Sequence, residues 1–250
     1  MNRSLLTASA AALSVGIGVW WAARRLMQKP GSGAEPRLPL SPGSESRPQI
    51  DGMTPTIERD TARKLLLYAV PPAWIAAGLA DWLCHRETQI ETTAGAKESL
   101  MHLLMQAELG IPVLVLLFCE VTPLVVISEI VAFVAHEATV YWDLKYTLPR
   151  REIPPIEQQV HAYLELLPLV AIALITVMHW PETKSLFGLG TGPIDWSLRL
   201  RKNSLSLRYR IGLLTAVTLL NGIPYIEELW RGLRANQEQQ HPTGSPGFTH

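Results

Sequence analysis

Four long apolar stretches, residues 65–84, 100–118, 121–141 and 156–180, each carry a histidine paired with a carboxylate at or just beyond one end. The combination leaves this chain few folds. A run of about 20 apolar residues is what a helix needs to cross a bilayer, and an ionisable side chain in such a helix is costly enough to require a partner or a task. The pairs are Asp81/His85, Glu98/His102, His136/Asp143 and Glu157/His161. At 100° per residue, a spacing of four leaves two side chains within about 40° of each other and a spacing of seven within about 20°. Each pair therefore shares one helix face.

Their order along the chain matters as much as their spacing. Asp81/His85 closes the first stretch and Glu98/His102 opens the second, with the turn expected near residues 92–95. His136/Asp143 closes the third, and Glu157/His161 opens the fourth after the proline-rich turn at Pro154 and Pro155. Up-down connectivity then gathers all four pairs at one membrane face. The expected fold is an all-α transmembrane antiparallel bundle of about four core helices, with an N-terminal anchor helix and a C-terminal helix.

Composition agrees with a membrane assignment: 48% of residues are hydrophobic and 18% charged. Formal net charge is zero, so nothing calls for nucleic acid as a partner. Residues 1–27 read as a retained membrane anchor, because Trp20 and Trp21 end the apolar segment and Arg24 and Arg25 follow it. Residues 28–56, rich in Pro, Gly and Ser, read as a linker without a core of its own. The bundle is expected over residues 57–235 and a disordered tail over 236–250. Within the bundle, Pro71-Pro72 either kinks the first helix or marks its start, and Pro123 fits the first turn of the third. Residues 182–210 read as a loop with a short amphipathic surface helix, rich in arginine. Residues 211–226 form a last apolar run, shorter than a straight span, which either extends through Leu229 or lies partly against the bundle. Lys and Arg concentrate at the end opposite the histidines, which makes that end cytoplasmic and the histidine end periplasmic in a bacterial inner membrane.

Neutral imidazole and carboxylate together bind Fe, Mn or Zn, and helical-bundle cores hold dinuclear carboxylate sites. The expected ligands are Asp81, His85, Glu98, His102, His136, Asp143, Glu157 and His161, holding two metal ions, iron first and Mn or Zn as alternatives. Glu91, Glu108 and Glu165 are second-rank ligands. Glu129, about 10 Å deeper than His136, reads as a hydrogen-bonded core acid, with a proton path as the alternative. The spacing differs from the Glu-x-x-His of soluble di-iron bundles, and the His-x-x-His-His clusters of membrane desaturases are absent. Gly188-Leu-Gly-Thr-Gly-Pro lacks the spacing of a phosphate loop. Cys84 and Cys119 read as packing residues.

Five motifs taken together carry a resemblance: Asp81-Trp-Leu-Cys-His-Arg, Glu98-Ser-Leu-Met-His-Leu, His136-Glu-Ala-Thr-Val-Tyr-Trp-Asp143, the segment from Arg151 to His161, and Pro224-Tyr-Ile-Glu-Glu-Leu-Trp-Arg231. Over residues 57–235 the chain resembles a poorly characterised bacterial family of multi-helix membrane proteins. Some members carry a cyclic-dinucleotide cyclase label, but this sequence has no Gly-Gly-Asp/Glu-Glu-Phe signature. The resemblance implies a membrane location and a shared helical core, and no activity. The leading expectation is an oxygen-using metal oxidoreductase acting on a lipid-like or small organic substrate. The alternatives are a non-catalytic metal-handling or structural membrane protein, and b-type haem electron transfer.

Overall fold

The computed structural model describes residues 55–202 and 205–240, so the expected anchor at 1–27 and the linker up to residue 54 lie outside the described residues, as does the tail from 241. Helix α1 (Pro55–Tyr68) runs almost directly into α2 (Val70–Thr88), so the folded part begins two residues before its expected start. Pro71 and Pro72 lie in the first turn of α2. A proline at position 71 cannot donate to the Leu67 carbonyl, and the hydroxyl of Tyr209 donates there instead, at 2.7 Å.

The short helix α3 (Ile90–Thr93) makes the hairpin turn between α2 and α4 (Ala96–Phe118). Helix α5 (Pro123–Thr147) starts as expected, with Pro123 in its first turn and the Thr122 hydroxyl accepting from the Val125 amide. Helix α6 (Pro155–Met178) follows the proline-rich turn, and α7 (Trp180–Ser185) ends it. α2 packs on α6 and α4 on α5, with α5 and α6 in contact between the two pairs. Four helical segments, Arg59–Thr88, Ala96–Phe118, Pro123–Thr147 and Pro155–Met178, are long and apolar enough to cross a membrane. The outer surface suits lipid: only 11% of the apolar window of the last span is buried, and Ile111, Val131, Val134 and Val177 point outward.

One segment departs from expectation, and another extends past its expected end. Residues 186–202 contain no amphipathic helix among the described residues. They form an extended strap across the α4–α5 turn, where the Arg199 carbonyl accepts from the Glu120 amide and the Arg199 side chain pairs with the Glu120 carboxylate. Arg201 donates to the Leu116 and Cys119 carbonyls, which the end of α4 leaves free. Arg201 thus caps the end of α4, and Arg199 pairs with Glu120 and Asp195. The last apolar run also continues further than its own length suggests. Helix α8 (Leu207–Val217) passes through a π turn, Thr218–Gly222, into α9 (Ile223–Gln240), so helix covers the first five residues of the expected tail.

The π turn adds a residue to the helical register and re-aims the face that α9 presents to the bundle. Asn221 within the turn approaches α2 so closely that a Cβ on Gly78 would collide with its Nδ2. Further along α9, a Cβ on Gly232 would lie 2.8–2.9 Å from the backbone of Ala96. Tyr225, Glu228 and Gly232, at steps of three and four, therefore form the stripe by which α9 docks on α2 and α4. Gly232→Ala is expected to lower thermal stability in detergent by the equivalent of about 1–3 kcal/mol, the range for overpacking. Gly110→Ala, also mid-helix but with nothing within 4 Å of the added carbon, should leave it unchanged or raised.

Candidate metal centre

The inside of the bundle is polar where a soluble core would be apolar. His85, Glu98, Glu157 and Glu228 are among the largest fully buried side chains of the described residues. Each comes from a different helix: α2, α4, α6 and α9. His85 sits in the last turn of α2 and Glu98 in the first turn of α4, because the hairpin at Gln89 and Gly95, both with positive φ, folds one helix end back beside the next helix start.

Glu228 organises the centre. One of its oxygens lies 2.8 Å from His85 Nδ1 and the other 2.8 Å from His102 Nδ1. A carboxylate only accepts, so each ring carries its proton on Nδ1 and donates it to Glu228. The two rings stack, with centroids 4.4 Å apart and planes 12° from parallel. Burial alone would raise the Glu228 carboxyl; without a metal, the charge of the two histidines when protonated and their hydrogen bonds outweigh it and lower the group to about 2.

With Nδ1 engaged, each ring turns Nε2 toward carboxylates. His85 Nε2 is 3.5 Å from both Asp81 Oδ2 and Glu157 Oε1. It is fully buried and has no hydrogen-bond partner. His161 Nε2 completes this group, 2.9 Å from Asp81 Oδ1 and 3.9 Å from Glu157 Oε1. His102 Nε2 lies 3.8 Å from Asp143 Oδ2 and 4.0 Å from Glu98 Oε1. Bonds of about 2.1 Å to a central ion put neighbouring ligand atoms about 3.0–3.4 Å apart, so the His85 group is close to that spacing and the His102 group slightly open. Three sets have ligand atoms within 4.8 Å of one another and could hold a metal ion: Asp81/His85/His161, Glu98/His102/Asp143, and His85/His102/Glu228.

Arg151 closes the centre from the α5–α6 turn. Its Nη2 donates at 2.5 Å to Glu98 Oε1 and to Glu157 Oε1, and its Nε donates to Glu98 at 3.0 Å. Burial acts against the guanidinium charge, but these two carboxylates prevail and raise its pKa above the ordinary arginine value. Tyr225 donates its hydroxyl to Asp81 Oδ2 at 2.8 Å.

Seven of the eight expected ligands meet here. His136 does not enter any of the three sets. Its Nδ1 is 3.9 Å from Glu108 Oε2, and the ring lines a cavity of about 60 Å³ together with Asp81, His102, Asp143 and His161. Seven residues before Asp143, it stands about 10 Å along the helix, too far to join the same ligand group. Of the second-rank acids, Glu91 pairs with Arg231 outside the cluster, Glu108 accepts from Thr139, and Glu165 lines the small cavity. Glu129, expected to be hydrogen-bonded, has an oxygen without a partner.

Sequence reasoning missed Glu228, Arg151 and Tyr225. Helix periodicity pairs an acid with a histidine of its own helix, and α9 has no histidine, while Arg151 lies in a turn where no periodicity applies. The usable signal was an adjacent acid pair, Glu227-Glu228, flanked by Ile226 and Leu229. On a helix such a pair splits between two faces: Glu227 accepts from Trp82 and pairs with Arg86 and Arg231, while Glu228 turns inward.

Comparison of the chain with protein-family models, with curated proteins and with solved structures gives no match.

Replacing Glu228 by Ala strips two buried imidazole donors of their acceptor, at about 1–3 kcal/mol for each unsatisfied group. Thermal unfolding in detergent should therefore fall markedly for Glu228→Ala, and by less than about 1 kcal/mol for Glu227→Ala, whose partners are part-exposed. Equal losses would contradict the central place given to Glu228.

Proposed function

We propose that this chain is an integral membrane metalloprotein whose centre holds two cations, one against His85 Nε2 and one against His102 Nε2. The observation that carries the reading is the shared Glu228 carboxylate, which fixes both imidazoles with Nδ1–H turned to it and Nε2 free to ligate. A carboxylate behind a ligating histidine orients the ring and strengthens it as a donor. The first ion would take Asp81, His85, His161 and Glu157, and the second Glu98, His102 and Asp143.

Charge supports two divalent ions. Asp81, Glu98, Asp143, Glu157 and Glu228 are all buried, and one guanidinium, Arg151, meets this set of five. Two divalent cations would bring the centre to neutrality with the histidines uncharged. Compensation by protonated histidines is the poorer solution, because stacked imidazoliums 4.4 Å apart would repel by about 4 kcal/mol at an effective dielectric of 20. The stacking also argues against b-type haem, since the rings turn faces rather than nitrogens toward each other and leave no room for a porphyrin between them.

The donor set suits iron, with manganese or zinc as alternatives. The reaction we propose is oxidoreductase chemistry with dioxygen as co-substrate, on a lipid-like or small organic molecule reaching the 60 Å³ cavity. In it, His136 and Glu108 would hold or pass a proton, and Tyr225 would keep Asp81 in place. The histidine end would face the periplasm of a bacterial inner membrane. The family resemblance supports the membrane location and brings no activity.

A second reading rests on one contact. Arg151 bonds the same Oε1 atoms of Glu98 and Glu157 that face His102 and His85, which suits a metal-free ionic network. Elemental analysis of protein purified in mild detergent separates the two. Two Fe or Mn per chain are expected, with weak charge-transfer absorption and no Soret band. His85→Ala and His102→Ala should each lose at least one equivalent, and His136→Ala should retain both. Protein without stoichiometric metal, isolated or after reconstitution, would leave the ionic network as the function of the cluster.

A further inference from the structure

A second and much larger cavity, about 730 Å³, occupies the opposite half of the bundle. That is within the roughly 300–1,000 Å³ of small-molecule sites. Its body is apolar, built from side chains such as Val113 of α4, Ile172 and Ile175 of α6 and Leu213 of α8. Its mouth is basic: Arg59, Arg63, Arg201 and Lys202 line it. None of these four makes an ion pair with a carboxylate among the described residues, and Arg201 is engaged only with backbone carbonyls. Of the acids that line the cavity, Glu120 is paired with Arg199 and Asp60 is exposed, while Glu182 lies 3.9 Å from His179 with one oxygen unpartnered and Glu129 is six residues further into α5 than Pro123. Burial, with Arg59 and Arg201 acting against Glu182, lowers the pKa of His179. Trp74 and Leu109 line both this cavity and the 60 Å³ cavity beside the histidines, so they form the partition between the two.

We propose that this cavity binds a single-chain anionic amphiphile, a long-chain carboxylate, with its head at Arg59, Arg63 and Lys202 and its chain running inward to Trp74 and Leu109. An apolar body ending in an unpaired basic mouth matches a molecule with one charged end and one hydrocarbon chain. The tail would then end at Trp74 and Leu109, whose other side lines the cavity beside the histidines, so movement of these two side chains would admit it to that centre as substrate. That last step rests on the metal reading above, whereas binding itself does not.

The test is native mass spectrometry of the whole chain in neutral detergent, with palmitate as the probe. One palmitate per chain is expected, with methyl palmitate binding at least tenfold more weakly for want of the charge. The double variant Arg59→Gln/Arg63→Gln, altered only at exposed positions, should lose at least tenfold in affinity. Val113→Trp and Ile172→Trp, which fill the cavity from different helices, should each abolish the adduct. Equal binding of palmitate and methyl palmitate would overturn the proposal. So would full binding in both tryptophan variants, or preference for hexadecyltrimethylammonium, which would assign the cavity to Glu129 instead. His102→Ala should bind palmitate normally, so that loss of metal and loss of the amphiphile are read independently.

Discussion

The Glu228 carboxylate, shared between the Nδ1 atoms of His85 and His102, ties α9 to α2 and α4 and sets the direction in which both imidazoles can act. Most of the centre depends on it. Once Nδ1 is committed, Nε2 of each ring must face the remaining carboxylates, and the two rings are held at stacking distance. The features that bring Glu228 into place are backbone features: the π turn at Thr218–Gly222, and Gly232, where α9 touches Ala96. A helix that packs this closely has room for no side chain at the contact, so the polar residue one turn earlier reaches fully inside.

The apolar surface and polar interior are two sides of one constraint. In lipid, apolar side chains gain nothing by turning inward, so association of the helices relies on packing and on polar contacts between them. Carboxylates and imidazoles at the ends of four spans supply such contacts here, with Arg151 joining Glu98 of α4 to Glu157 of α6. The same charges that hold the helices together give the interior three groups of side chains that could hold a cation. At the other end the bundle opens instead, around a cavity whose polar lining is mainly at its mouth.

Much of this was legible in the sequence. Apolar runs marked the four spans, and the alternation of His/acid pairs between helix ends and helix starts placed seven ligand candidates in one layer. Helix periodicity is local and survives without an alignment. What it does not carry is the packing of a fifth helix against the other four. Glu228 has no histidine on its own helix, Arg151 lies in a turn, and the π turn that re-aims α9 has no mark in the apolar pattern. His136 illustrates the converse: it shares a face with Asp143, but seven residues of rise separate the two along the axis. The strap at 186–202 is the other departure: its arginines suit a surface helix by composition, but the free carbonyls at the end of α4 and the Glu120 carboxylate, which only the tertiary fold brings near, take them instead.

The most direct test of the central claim is anomalous X-ray scattering at the edge of the bound metal, from crystals of the metal-loaded protein. Two peaks are expected, one beside His85 Nε2 and one beside His102 Nε2, with both Nδ1 atoms still on Glu228. A single peak coordinated by Glu228 itself, or none within reach of either Nε2, would contradict the account.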